Sequence, residues 1–142
     1  MASETLYEKL ILEHSRHPRN FGKLSNPSVE AAVDNPVCGD KITLQLEIQN
    51  NVIQDVRFHG QGCAICLSVA SVMTETIKGD GLSTAIRRFE RFRCLLQGSD
   101  NNVTESDDLS AFKGVRKFPV RIKCALLPWH ALRQCLEGHA DS

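Results

Sequence analysis

The sequence has no net charge, no long apolar run and no internal repeat. Lysine plus arginine number 17, as do aspartate plus glutamate. No electrostatic field therefore draws the chain to nucleic acid or to an anionic membrane. No stretch stays apolar over the roughly 20 residues that a bilayer-spanning helix needs. The first residues, Met1-Ala2-Ser3-Glu4, lack a basic segment followed by an apolar one. No signal peptide is expected, and the expected location is the cytoplasm. A reducing compartment disfavours a disulfide framework, so the six cysteines are read as ligands, nucleophiles or core residues. At 142 residues, with no boundary or linker visible, the expectation is a single domain over 1–142. Hydrophobic residues at 42% and charged ones at 24% fit a soluble globular chain with its own core.

What the chain does have is cysteine at three places where the backbone should change direction. These are Asn35-Pro36-Val37-Cys38-Gly39-Asp40, Gly60-Gln61-Gly62-Cys63-Ala64-Ile65-Cys66 and Arg121-Ile122-Lys123-Cys124-Ala125. Asn-Pro before Cys38 and Gly after it mark a turn. Cys63 follows Gly-x-Gly and opens a helical pattern, and Cys124 lies near the start of another. Three thiols and the nearby carboxylate of Asp40 make a set of the kind that Zn²⁺ takes, mostly sulfur with one harder oxygen. Inert core thiols and a purely structural zinc site are the plainer readings of the same residues. Gly, Pro and Asp flanks are poor core neighbours, which weighs against the first; spacing does not exclude the second.

The scaffold reads as follows. Residues 4–16 form an amphipathic helix with Leu6, Leu10 and Ile11 on one stripe and Ser3 as N-cap; Pro18 ends it. Residues 16–22 are a basic loop, read as solvated charge or a docking site. A short strand is expected over 29–34. Residues 42–49 alternate apolar and polar strictly, Asn50-Asn51 tolerates positive φ, and 52–59 alternate again, so a hairpin is expected. A helix of small residues follows over 63–78, closed by Gly79. A second spans 82–97, with Ile86, Phe89, Phe92 and Leu96 near one face. Residues 98–108 read as a loop and 109–115 as a short helix. A last helical region covers 119–137 with Trp129, Leu132 and Leu136 aligned, and Pro128 should break or kink it.

Taken together, Leu6-Tyr7, His17-Pro18-Arg19-Asn20, Asn35-Pro36-x-Cys38-Gly39-Asp40, Gly60-x-Gly62-Cys63 and Arg121-Ile122-Lys123-Cys124 resemble the U-type iron–sulfur cluster assembly proteins, related to IscU and the NifU N-terminal region. Two features resemble the SufU branch. The 61 positions from Cys63 to Cys124 exceed the IscU-type gap, as though an insertion lies within about residues 90–115. IscU-type proteins carry His before the third cysteine, where this chain has Lys123. The resemblance implies an α+β fold: about three antiparallel strands packed against four to six helices, with a metal site at one end. It implies Zn²⁺ on Cys38, Asp40, Cys63 and Cys124. It also implies persulfide sulfur accepted at Cys38 from a cysteine desulfurase and passed to a downstream cluster scaffold. The alternative it allows is a scaffold that itself holds iron or an iron–sulfur cluster on Cys38, Cys63 and Cys124.

Metal binding requires deprotonated thiols, and zinc is redox-inert, so the ion would hold three thiolates ready and protected. Arg121 is read either as a surface ion-pairing residue or as a cation near the site, and Lys123 as solvated. Cys94 and Cys135 fall in helical patterns and read as packing residues. Cys66 departs from the family pattern. With Cys63 it forms C-x-x-C at a helix start, as in thiol–disulfide redox proteins. No thioredoxin-like βαβ pattern precedes it, and redox activity would leave Cys38 and Cys124 unexplained.

Overall fold

The computed structural model describes residues 2–97 and 109–141. The expected loop over 98–108, and with it part of the expected insertion, lies outside the described residues, as does the side chain of Leu6. Helix α1 spans Ala2–Arg16, strand β1 Val29–Asn35, β2 Asp40–Gln49 and β3 Val52–Gln61. Helices α2 (Ala64–Ile77) and α3 (Leu82–Gln97) follow, then a 3-10 helix (Ser110–Lys117) and α4 (Pro119–Asp141). The α+β expectation holds: three antiparallel strands in the order β1-β2-β3, packed against helices.

The hairpin forms as its alternation requires. Ile42, Leu44, Leu46 and Ile48 of β2 are buried, with Ile53, Val56 and Phe58 of β3 beside them. Asn50 and Asn51 both take positive φ, at 54° and 62°, as a two-residue turn of this hand demands. One outward residue breaks the pattern. Gln45 is buried because the connection after α1 crosses over it: its Oε1 accepts the Leu24 N–H at 2.7 Å and its Nε2 donates to Glu30 at 2.6 Å.

Helix α2 is the centre of the helical layer. Ten of its residues, from Ile65 to Ile77, are buried, and only Ala64 and Glu75 of the helix are exposed. Small polar residues make that tolerable. Ser71 Oγ accepts the Arg19 N–H at 2.8 Å and bonds His14 Nδ1 at 2.6 Å, while Thr74 donates to the Ser71 carbonyl and Asn20 donates to Thr74. The 16–22 loop is therefore stitched to α2 and, through Asn20 and Gly22, to Phe58 of β3.

Three expectations are corrected. Helix α1 begins at Ala2, so Ser3 lies inside it and is not its cap. Ile86 is 47% exposed; the buried face of α3 is Ala85, Phe89, Phe92, Leu95 and Leu96, and Ile86 lies about 100° round from Ala85. Pro128 does not break α4, which runs unbroken through it. Losing one helical bond and pressing the ring on the carbonyl four residues back costs about 3 kcal/mol. Burial on both sides offsets this: Cys124, Ala125, Leu126 and Leu127 before it, Trp129, Leu132, Cys135 and Leu136 after it. The carbonyl left without its helical N–H is that of Cys124.

The strand register brings one end of the sheet together. Asn35 ends β1 opposite Asp40, and Gln61 ends β3 opposite Lys41. The close of β3 depends on Gly60, which has φ +142° and whose missing Cβ would collide with the Lys41 carbonyl. Gly60→Ala is expected to lower stability by on the order of 3 kcal/mol, through backbone strain and a contact that cannot relax. Denaturant unfolding checks it; a midpoint equal to that of the parent chain would contradict the strand geometry.

Candidate metal centre

Each of the three cysteine stretches ends at this edge of the sheet for a local reason. The turn carrying Cys38 closes on Asn35. The Asn35 carbonyl accepts the N–H groups of Cys38 and Gly39 at 3.2 and 2.9 Å, and its Oδ1 accepts that of Val37 at 3.2 Å. Gly39 takes φ +73°, which its lack of a side chain allows. Asp40 is then the first residue of β2 and is fully buried. Cys63 is the N-cap of α2: its Sγ accepts the Cys66 N–H at 3.4 Å, and its own N–H donates to Asp40 Oδ1 at 2.9 Å. Cys124 is in the second turn of α4, buried, with its Sγ 3.2 Å from that of Cys38.

One donor atom each from Cys38, Asp40 and Cys124 lies within 4.8 Å of the others. Cys63 is outside that tight group but adjoins it. It is bonded to Asp40 through its backbone, and its thiol lies beside Cys124 and the Arg121 guanidinium. Cys66, Cys94 and Cys135 are not in the group. Cys135 is buried and directs its sulfur at the Leu44 carbonyl; Lys123 is exposed.

Asp40 Oδ2 tests whether a cation fits. It is buried and has no hydrogen-bond partner among the described residues, while Oδ1 is held in place by the Cys63 N–H. A buried carboxylate oxygen with nothing to bond is costly unless a cation meets it. With two sulfurs within 4.8 Å and a third adjoining, the donor set is three sulfurs and one oxygen, which suits tetrahedral Zn²⁺. Cys38, Asp40, Cys63 and Cys124 are the residues that would hold it.

Burial dominates the electrostatics of the enclosed thiols. Burial first, and then the neighbouring Cys38 thiol, push the Cys124 thiol far up from its ordinary value. Burial, followed by the charges of Asp40 and Cys63, does the same to Cys66. Burial pushes Cys135 up to about 12. The charge of Cys63 and its bond to the guanidinium, and after them the charges of Cys124 and Cys38, in turn raise Arg121.

Two features of the site were not read from the sequence. Asn35 is the anchor of the Cys38 turn, and its Nδ2 is buried without a partner among the described residues. The Asn-Pro pair signals a turn but not a buried anchor. Val37, Phe118 and Val120 are exposed, at 77%, 54% and 59%, next to Cys38 and at the start of the helix bearing Cys124. An apolar residue inside a turn motif was the available signal.

The profile of the NifU-like N-terminal domain matches residues 6–135. The zinc-dependent sulfurtransferase SufU of Bacillus subtilis (strain 168) is 40% identical over 132 residues, covering 92% of this chain and 89% of that protein. The iron–sulfur cluster assembly scaffold protein IscU of Streptococcus pyogenes serotype M1 is 34% identical over 139 residues, covering 96% and 86%. The crystal structure of FiSufU from Fervidobacterium islandicum AW-1 superposes with a TM-score of 0.87 at 30% identity, covering 94% of this chain and 98% of that one.

The raised thiols set a pH dependence. Folded Cys66, Cys124 and Cys135 stay protonated where unfolded thiols ionise, from about pH 8.5. Their folded values are raised, so the stability they contribute is full below that pH and is lost as pH rises above it. Chelated protein is expected to melt lower at pH 9.5 than at 7.5, by up to about 1.4 kcal/mol per pH unit for each thiol. An unchanged melting temperature would mean these thiols are not held protonated by the fold.

Proposed function

The chain belongs to the NifU-like N-terminal domain family, of the SufU/IscU type, and from that we propose that it serves iron–sulfur cluster assembly as a zinc-dependent sulfurtransferase. It takes persulfide sulfur from a cysteine desulfurase and passes it to a downstream cluster scaffold. The observation that carries the reading is the orphaned Oδ2 of buried Asp40 beside the paired sulfurs of Cys38 and Cys124. The SufU relative, at 40% identity across most of both chains, supports zinc and sulfur transfer as the use made of them. The reading takes residues 1–142 as one domain working in the cytoplasm. Among the described residues no helix is long and apolar enough to cross a membrane.

Bound zinc would keep the site thiols deprotonated without redox chemistry of its own. Cys38 is the acceptor. Of the two sulfurs in contact, Cys124 is fully buried and Cys38 reaches the surface beside exposed Val37. Its thiolate attacks the terminal sulfur of the donor persulfide. A new S–S bond forms on Cys38, the donor's S–S bond breaks, and the donor cysteine leaves as thiolate; nothing is oxidised overall. Arg121 offers positive charge beside Cys63 and towards Cys38, which the anionic persulfide must approach. Val37, Phe118 and Val120 give the donor protein an apolar rim to rest on.

The second reading, a scaffold that holds iron or an iron–sulfur cluster on Cys38, Cys63 and Cys124, is favoured by the IscU relative. Metal content separates the two. Protein purified without added metal or oxygen is colourless with one zinc per chain on the first reading, and brown on the second.

Cys38→Ser is expected to abolish stimulation of a cognate desulfurase. Asp40→Ala is expected to keep most of its zinc through three thiolates and to lose roughly tenfold or more of the stimulation, about 1.4 kcal/mol of barrier or greater. Desulfurase turnover and zinc content, measured on the same preparations, check both. Full stimulation by Cys38→Ser would move the acceptor role to Cys63 or Cys124, and full stimulation by chelated protein would remove the metal from the reaction.

A further inference from the structure

Cys66 is the one thiol at this edge of the sheet that the proposed reaction does not use. It is fully buried, one helical turn on from Cys63, and its own N–H donates to the Cys63 sulfur. Residues three apart at a helix start lie on one face, with Cα atoms at the spacing a disulfide spans. The Cys66 side chain presses on the turn that delivers Cys63: a Cβ on Gly62 would stand 3.2 Å from both Cβ and Sγ of Cys66, and 3.0 Å from Asp40 Oδ1. Cys63, by contrast, is partly exposed and has the Arg121 guanidinium beside its sulfur.

We propose that Cys63 and Cys66 are a peroxide-responsive dithiol, in which Cys66 resolves oxidised Cys63 into a Cys63–Cys66 disulfide and so spares the site from irreversible damage. The Cys63 sulfur, as thiolate, attacks hydrogen peroxide. The O–O bond breaks, sulfur gives up two electrons, Cys63 becomes a sulfenic acid and, with a proton, water leaves. Cys66 sulfur then attacks Cys63 sulfur; the S–O bond breaks, and the hydroxide takes the Cys66 proton and leaves as a second water. A thiol reductant reverses the bond. Cys66 suits the resolving role because it alone of the thiols around Cys63 lies outside the ligand set; Cys38 and Cys124 belong to it. Burial keeps Cys66 from meeting the oxidant first. Loss of metal on oxidation rests on the ligand set proposed above; the disulfide itself does not.

The experiment treats zinc-loaded full-length chain with about one equivalent of hydrogen peroxide, then blocks free thiols and maps peptides by mass spectrometry. Cys63 and Cys66 share the tryptic peptide 58–78, so their disulfide reads as loss of two hydrogens within one peptide. Released zinc is measured in parallel, before and after dithiothreitol. The expected result is that disulfide, with zinc released, and full return of both thiols and zinc on reduction. Cys66→Ser, and Cys66→Ala as a second variant should the serine disturb the core, are expected to carry Cys63 on to sulfinic acid and not to recover. A Cys38–Cys124 bridge with Cys66 left free in the parent chain would overturn the proposal. So would variants that recover as fully as the parent. Neither readout uses a desulfurase, so failure of the sulfur-transfer reading leaves this outcome standing or falling alone.

Discussion

A carboxylate with no solvent and only one of its oxygens bonded organises this end of the molecule. Asp40 sits at the first position of the central strand, where pairing with Asn35 leaves it no freedom to swing outward. Its inner oxygen takes the N–H of Cys63, which fixes where α2 starts. Its outer oxygen is left facing sulfur. A fold that buries such a group must supply either a proton or a cation. Each neighbouring device serves that arrangement: the Asn35-anchored turn presents Cys38, Gly62 leaves room beside the carboxylate, and α4 brings Cys124 from 84 residues away in sequence.

The scaffold spends its regularity elsewhere. Helix α2 is buried over most of its surface and cannot slide or roll without breaking the Ser71 and Thr74 bonds that hold the 16–22 loop. Its N-terminus is thereby a fixed point, and the sulfur that caps it is fixed with it. The sheet meets the same edge through tight pairing down to Asn35 and Gln61. The site is thus built from the ends of four rigid elements, while its apolar rim of Val37, Phe118 and Val120 lies on the turn and helix start that face outward.

Much of this was legible in the residues. Strict alternation over 42–49 and the Asn50-Asn51 pair specify a hairpin almost without context, because period two and positive φ are local matters. The motif flanks pointed to Cys38, Asp40, Cys63 and Cys124 by residue type and turn chemistry, and the structure brings donor atoms of Cys38, Asp40 and Cys124 within 4.8 Å of one another. What stayed hidden was non-local. Burial of Gln45 depends on a connection that crosses the strand 21 residues earlier in sequence. Ile86 looked like core because apolar residues recur on α3, yet only the partners of that helix decide which arc is covered. Pro128 looked like a break because its cost is local and the packing that offsets it is not. The tightness of the Cys38–Cys124 contact against the looser place of Cys63 belongs to tertiary geometry that no spacing encodes.

Pro128 has a consequence for the helix that carries it. The rung it deletes from the ladder of α4 belongs to Cys124, so the helix lacks one backbone bond where the turn bearing that thiol joins the rest. Both sides of that point are held in the core, Cys124, Ala125, Leu126 and Leu127 before it and Trp129, Leu132, Cys135 and Leu136 after it, while the start of the helix runs out through exposed Val120 and Arg121. The carbonyl freed of its helical partner therefore belongs to the very residue whose sulfur meets that of Cys38.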